Sequence, residues 1–290
     1  MKASIIITTY NRPELVKRAL NSALNQTYVK DTEIIVVDDC SYESLDDIAS
    51  DSRIKYIRHE TNRGLSAARN TGVKHASGKY VVFLDDDNEL APEFLEQTIK
   101  LIEYFSLTLD AVGVGRTIKY KNYDDYVVPK LSKFSSMDWG WLIRKEVFDK
   151  IQYDESLKAN EDTDFGIQFY KVGFKRVTIC EPLSIAYDID DPRKSLSWPS
   201  ERELKGMTEF FHKNWREYEG FSKEQWCLCR LMARKFYRGG EKRLGIKFMW
   251  GGFKVYPNLR SFTHWFLLLF GWRVYDLYMS FEERVSAKLR

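Results

Sequence analysis

Four short runs of β-branched and apolar residues alternate with helix-like stretches over the first hundred residues, and this alternation limits the chain to few architectures. The runs are 4–9 (SIIITT), 33–37 (EIIVV), 54–58 (IKYIR) and 80–84 (YVVFL). Largely apolar, they read as strands of a sheet covered on both faces. After the first, Asn11-Arg12-Pro13-Glu14 has helix-start chemistry, with Asn11 as a cap and Pro13 in the first turn. Leu15, Ala19, Leu20, Ala23 and Leu24 then recur at helical spacing. Residues 44–49 read as a short helix, and 92–105 as a longer one. Residues 65–76 read as a small-residue helix entered through Asn62-Arg63-Gly64. The pattern predicts an α/β fold: a Rossmann-like, mostly parallel sheet flanked by helices.

Ligands of such sheets sit outside the carboxyl ends of the strands. The polar groups of this chain fall there: Thr8-Thr9-Tyr10-Asn11, then Asp38-Asp39, then Asp85-Asp86-Asp87. The second half is more mixed. Residues 111–120 and 139–143 read as strands, 122–138 as a polar loop, 145–151 as a short helix, 162–172 as a helix and 176–180 as a strand. From about residue 200 the pattern is helical. The expected organisation is an α/β domain over 1–200, in two halves (1–110 and 111–200), and a helical extension over 201–290.

Three adjacent carboxylates repel one another unless a cation sits among them. Hard divalent cations such as Mn²⁺ and Mg²⁺ take oxygen ligands, often shared between carboxylates and substrate phosphates. Asp85-Asp86-Asp87 therefore reads as a metal and donor site, or else as a solvated acidic turn. Tyr10 offers a ring face for a base, and Asp39 an acceptor for a base N–H. The same residues also suit an ordinary strand-to-helix turn. Arg63 and Arg69, on the third helix, suit a diphosphate or a surface. Asn160-Glu161-Asp162-Thr163-Asp164 is a second acidic cluster. Asp162 or Glu161 there either takes a proton from an attacking hydroxyl or balances a helix dipole.

In order, ITTYNR, VVDD, NRGLSAARNTG, FLDDDN and WGWLIRKEVF…NEDTDF resemble the family 2 glycosyltransferases of GT-A fold over roughly residues 1–190. The resemblance implies a nucleotide-sugar donor, commonly a UDP-sugar, a Mn²⁺ or Mg²⁺ ion, and inversion at the anomeric carbon. It also implies roles: a catalytic domain over 1–200, with 1–110 as its nucleotide-binding half and 111–200 as its acceptor-binding half. Thr8, Tyr10, Asn11 and Asp39 would meet the nucleotide, Arg69 would contact it, Asp85 or Asp86 the ribose or donor, and Asp87 the metal. Asp162 would be the catalytic base, with Glu161 orienting acceptor or donor. The chain departs from the pattern downstream, where many relatives carry a His and residues 187–198 (YDIDDPRKSLSW) have none. Asp188, Asp190 or Asp191 could stand in, or Arg193 and Lys194 could meet the diphosphate. Trp139 and Trp141 are either sugar-stacking or core.

Charge is unevenly spread: residues 1–200 hold 27 Lys and Arg against 32 Asp and Glu, residues 201–290 hold 18 against 10. A basic, aromatic-rich tail suits an anionic membrane surface, here through 230–280, and a lipid-linked or glycan acceptor would make that useful. Packing on the body or dimerisation are the alternatives; no motif supports nucleic acid. Residues 262–271 (FTHWFLLLFG) are too short to span a bilayer. The start, MKASIIITTYNRPE, reads as a strand, not a signal peptide. Cys40, Cys180, Cys227 and Cys229 form no zinc set and read as buried reduced thiols. Together these predict a cytoplasmic enzyme, peripheral on the inner face of the membrane. A sugar-nucleotide pyrophosphorylase would need a glycine-rich loop after the first strand, and none follows Thr9. A non-catalytic nucleotide-sugar-binding or membrane scaffold is the other reading, which Asp87 and Asp162 together argue against.

Overall fold

A computed structural model describes residues 2–28, 31–43, 45, 51–105, 108–120, 123–129, 131–187, 200–270, 274, 275 and 278. Contacts divide the chain into two units, Met1–Asp190 and Asp191–Arg290. In chain order the first holds β1 (Ala3–Thr9), α1 (Pro13–Leu24), β2 (Thr32–Asp38), β3 (Ile54–Arg58), α2 (Leu65–His75), β4 (Tyr80–Asp85), β5 (Glu89–Leu90) and α3 (Phe94–Tyr104). There follow β6 (Ala111–Gly113), β7 (Arg116–Lys119), β8 (Asp124–Val127), β9 (Trp141–Arg144), a 3₁₀ turn (Lys145–Asp149), α4 (Glu161–Val172), β10 (Arg176–Thr178) and β11 (Ser184–Tyr187).

Seven strands form the main sheet, in the order β10-β6-β9-β4-β1-β2-β3. All its pairs are parallel except those of β9 with β4 and β6. The chain runs outward from β1 to β3, then returns to β4 on the other side of β1. The order therefore reverses between β1 and β4, which is where a doubly wound sheet opens its ligand crevice. Thr8 lies opposite Asp85 across that switch point and opposite Val37 on the other side.

Alternation along β1 shows why its run needs apolar residues on both faces. Ile5 and Ile7 join the core made with Val16 and Leu20 of α1 and Leu95 and Ile99 of α3. Ile6 joins the opposite core, with Ala68 of α2 and Phe165 and Phe169 of α4. Each such buried side chain contributes roughly 1.5–3 kcal/mol, so both faces must be covered. The small residues of α2 let it lie close to the sheet. A methyl group at Gly72 would come within 2.3 Å of the Ile6 Cγ2.

Several expectations change in detail. The run 111–120 is two strands: β6 in the main sheet and β7 in a second, four-stranded sheet of order β5-β11-β7-β8. β8 falls inside 122–138, read from its polarity as a loop; all four of its residues are exposed, and its pairing with β7 is carried by the backbone. Asn11 does not cap α1. The N-cap position is Arg12, without a side-chain cap bond, while Asn11 adopts φ 56° and links to the chain after β2. Its N–H donates to Ser41 Oγ (2.9 Å), and its Oδ1 accepts from the Tyr42 N–H (2.8 Å). Of the four cysteines only Cys229 is buried; Cys180 and Cys227 are exposed and Cys40 intermediate. Residues 222–238 form a helix whose buried stripe includes Trp226, Leu228 and Cys229, and Cys227 falls off that stripe. The helix read at 44–49, and Asp188, Asp190, Asp191, Arg193 and Lys194, lie outside the described residues.

The second unit is helical: α5 (Glu201–Asn214), a 3₁₀ turn (Trp215–Tyr218), α6 (Ser222–Arg238), α7 (Lys242–Val255) and α8 (Leu259–Leu269). Ser200 caps α5, accepting from the Glu203 N–H at 3.2 Å. Asn258 and Ser261 cap α8 reciprocally, at 2.9 and 3.1 Å, an arrangement that satisfies two otherwise orphaned groups. Ala233, Met249, Leu268 and Tyr275 form the buried centre. Tyr275 is hydrogen-bonded to the buried His264, 3.0 Å from Nδ1. Among the described residues no helix is long and apolar enough to cross a membrane.

Candidate active site

The strand ends place the carboxylates, and arginines from three elements hold them. Asp85 closes β4, and Asp86 and Asp87 follow in the turn. Asp86 is 5% exposed and accepts from Thr9 Oγ1 at 2.8 Å and Arg12 NH1 at 3.1 Å. Arg12 NH1 also reaches Asp87 Oδ2 at 3.2 Å. Arg18 of α1 donates to the Asp87 carbonyl at 2.6 Å, pairs with Glu89 at 3.3 Å and lies 3.9 Å from the Tyr187 ring centroid. Burial pushes the Asp86 carboxyl up to about 6, with Asp87 and Asp85 adding to it and Arg12 and Thr9 opposing. Burial also raises Asp85, and Asp87 and Asp138 reinforce this against the pull of Arg69.

Arg69 joins the two halves of the unit. It leaves α2 beneath the sheet rim, 2% exposed, and donates to Asp85 Oδ1 at 3.0 Å and to Glu161 Oε1 at 3.2 Å. Its guanidinium lies 5.1 Å from the Tyr153 ring centroid. Burial works to lower its pKa, but Asp85, Tyr153, Glu161 and Asp162 outweigh that and raise it. Read from sequence as a nucleotide contact, Arg69 thus lies inside the rim with both terminal nitrogens on carboxylates.

Glu161 and Asp162 open α4, after Asn160 in the left-handed conformation (φ 57°). Asp162 Oδ1 accepts from the Thr163 N–H at 2.7 Å, and the Asp162 carbonyl accepts from the Met137 N–H at 3.0 Å. Burial pushes the Asp162 carboxyl up to about 7, with Glu161 and Asp138 adding to the rise and Arg69 and the Thr163 N–H opposing it. Asp138 is held by Arg116, whose NH1 donates at 2.8 Å and whose NH2 bonds both the second carboxylate oxygen and the Trp139 carbonyl.

Asp39 is nearly buried and its carboxylate is engaged by its own chain. Oδ1 meets His59 Nδ1 at 2.7 Å and the Arg63 N–H at 2.8 Å; Oδ2 accepts from the Gly64 N–H at 2.7 Å. It thereby satisfies the start of α2, where Gly64 (φ 93°) adopts a backbone that other residues avoid. Tyr10 is 39% exposed, its ring 6.5 Å from that of Tyr42, and Thr8 is buried in β1 beside it. The Arg63 side chain pairs on the surface with Glu155 at 3.1 Å. Trp139 and Trp141 are 5% and 1% exposed, which makes both core.

Sequence reasoning missed Arg12, Arg116 and Asp138. A signal existed for Arg12: three consecutive carboxylates need a nearby cation, and Arg12 closes the ITTYNR run. Asp138 lay in a stretch read as loop, and Arg116 in one read as plain strand. Among the described residues no group of three or more His, Cys, Asp or Glu is arranged to hold a metal. The acidic turn nonetheless fits a hard dication that completes its shell with substrate phosphates. Asp87 is its most exposed member, with 31% of its side chain accessible, and its charge beside that of Asp85 favours a cation.

Carboxylates from both halves of the unit thus gather at the carboxyl end of the sheet beside the β1/β4 switch point, where open α/β sheets bind their ligands. The chain belongs to Glycosyl transferase family 2, whose pattern it matches over residues 4–178. It is 30% identical over 195 residues to the uncharacterized glycosyltransferase EpsJ of Bacillus subtilis, covering 58% of this chain and 56% of that one. Its fold is similar to that of S. aureus TarS 1-349 in complex with UDP-GlcNAc (TM-score 0.60, 20% identity, 91% of this chain and 78% of that one). It is also similar to that of the mannosyltransferase PcManGT from Pyrobaculum calidifontis in complex with GDP-Man and Mn²⁺ (TM-score 0.62, 16% identity, 96% and 83%). The seven-stranded sheet flanked by helices is thus the GT-A arrangement.

Proposed function

We propose that the chain transfers a sugar, with inversion, from a nucleoside diphosphate sugar, in the first instance a UDP-sugar, to a hydroxyl of a glycan or lipid-linked saccharide. The observation that carries this reading is Arg69, which ties Asp85 at the donor-side strand end to Glu161 at the start of α4. One rim thus holds acids suited to a diphosphate beside an acid suited to a base. The UDP-GlcNAc bound to TarS supports the choice of donor. The curated relative's name supports the reaction class, and the helical unit supplies the peripheral membrane contact through 230–280.

In this mechanism Tyr10 lies along the base. Asp39 supports the base pocket by fixing the Arg63-Gly64 backbone, and its engaged oxygens leave direct pairing with the base to a rearranged state. Thr8, Asn11, Asp85 and Asp86 shape the wall against ribose and diphosphate. Asp87 would hold a Mn²⁺ or Mg²⁺ ion, which when bound neutralises charge on the departing diphosphate. Asp162 takes the acceptor hydroxyl's proton as that oxygen bonds to the anomeric carbon. The bond from that carbon to the phosphate oxygen breaks, and the electron pair leaves with the nucleoside diphosphate. Glu161, fixed by Arg69, orients the acceptor or the donor sugar.

Thermal unfolding with UDP, GDP, CDP and dTDP, each with and without Mn²⁺, tests the donor half. A ligand that binds only the folded state stabilises it by mass action; at about 100 times its Kd, UDP with Mn²⁺ should raise Tm by roughly 5–10 °C. In Asp87→Ala the Mn²⁺-dependent part of that rise should vanish; an unchanged dependence would remove Asp87 from the metal. A rise with another nucleotide changes the donor, and none with any of the four leaves the scaffold reading.

A further inference from the structure

The apolar face of α8 points outward. Leu259, Phe262, Phe266, Leu269 and Phe270 are 82%, 40%, 43%, 46% and 63% exposed, and their spacing places them on one stripe of a helix. α7 extends the stripe into a band. Trp250, 38% exposed, lies 4.8 Å from Trp265 and 5.2 Å from Phe253, centroid to centroid. Phe253 meets Phe262 at 5.8 Å, Phe262 meets Phe266 at 5.8 Å, and Phe266 meets Phe270 at 5.0 Å. A contiguous exposed aromatic surface of this kind marks an interaction site.

Charge identifies the occupant. Residues 242–270 contain Lys242, Arg243, Lys247, Lys254 and Arg260 and not one Asp or Glu. Arg243, Lys247 and Lys254 are exposed and share the helical stripe of Trp250; Lys254 Nζ lies 5.5 Å from that ring's centroid. A second copy docking face to face would set these cations against their own equivalents. The lipid–water interface of an anionic bilayer satisfies both features, because it takes aromatic side chains below the headgroups and cations among them. α8 has 11 residues, about half of what a span needs, so it would lie along the surface.

We propose that α7 and α8 form a membrane-docking surface for anionic lipid, with Phe262, Phe266, Leu269 and Phe270 among the acyl chains and Arg243, Lys247 and Lys254 on the headgroups. This rests on the peripheral-membrane part of the reading above and is independent of the transfer chemistry. Vesicle co-sedimentation of the full chain tests it, with phosphatidylcholine alone and phosphatidylcholine mixed with phosphatidylglycerol. Binding should be at least about tenfold tighter to the anionic vesicles and should weaken with salt. Phe262→Ser/Phe266→Ser should reduce it by at least about tenfold, and Lys247→Gln/Lys254→Gln should narrow the preference for anionic lipid. All four positions are exposed, and unchanged circular dichroism and UDP-induced stabilisation would show that the variants fold. No binding by the parent, equal binding to both vesicles, or serine variants that bind like the parent would overturn the proposal. So would a concentration-dependent dimer that the serine pair dissolves. If vesicle binding fails while UDP still stabilises the protein, the docking surface falls and the transferase reading stands; the converse separates them the other way.

Discussion

Asp162→Asn should lose sugar transfer by roughly 10²–10⁴-fold, the usual contribution of a general base, and keep the UDP-induced rise in Tm. Asparagine preserves the size of the side chain and its acceptor for the Thr163 N–H, but it cannot take the acceptor's proton. The same residue sets a pH profile. The folded carboxyl holds its proton up to about 7, against an ordinary value of 3.8. The base form therefore prevails above about 7, and transfer should fall about tenfold per unit as pH drops below it. Stability runs the opposite way. Between those two values the folded state binds more protons than the unfolded one, so this group's ionisation opposes folding increasingly as pH rises, in full above about 7. The asparagine variant should therefore be at least as stable as the parent at pH 8. Kinetics across pH 5–9, with Tm measured on the same samples, check all three statements. Equal loss of transfer and of the UDP response would move Asp162 to the donor; a flat pH limb would remove it as the base.

The sheet was legible because its central strands are buried on both faces and so read as apolar runs: Ile5 and Ile7 need one core and Ile6 the other. The sites at the strand ends followed from that, since a run that stops at Asp38 or Asp85 must place the acid at the rim. Legibility failed where backbone pairing or a distant partner decides the outcome. β8 pairs through its backbone with Asp124 and Asp125 exposed, so it leaves no hydrophobic pattern. Asn11 has cap chemistry but adopts a left-handed conformation because Ser41 and Tyr42 compete for its N–H and Oδ1. The Arg116–Asp138 pair spans 22 residues, and no local spacing reveals it. Arg69 was read as a candidate nucleotide contact with its partners unnamed, because Glu161 is 92 positions away.

That last contact carries the second large effect. Arg69→Met should cost about 3 kcal/mol, the low end for removing one partner of a buried ion pair, because the side chain of Asp85 is still 28% exposed to water. For a unit of this size that lowers Tm by roughly 6–12 °C. The cause is the pair of carboxylates left behind: Asp85 and Glu161 would lose their shared cation while Asp87, Asp138 and Asp162 continue to repel them. Arg69→Lys should recover part of the loss, since an ammonium keeps the charge but cannot present the guanidinium fork to two acids at once. Adding Asp85→Asn and Glu161→Gln to Arg69→Met should restore most of the stability, because the triple variant leaves no uncompensated charge, yet it should remain inactive. Denaturant unfolding of the four proteins, paired with transfer assays, distinguishes this from direct nucleotide contact. If Arg69→Met were as stable as the parent and lost only its UDP response, the arginine would belong to the nucleotide, and the join between donor and acceptor halves would have to be sought elsewhere on the rim.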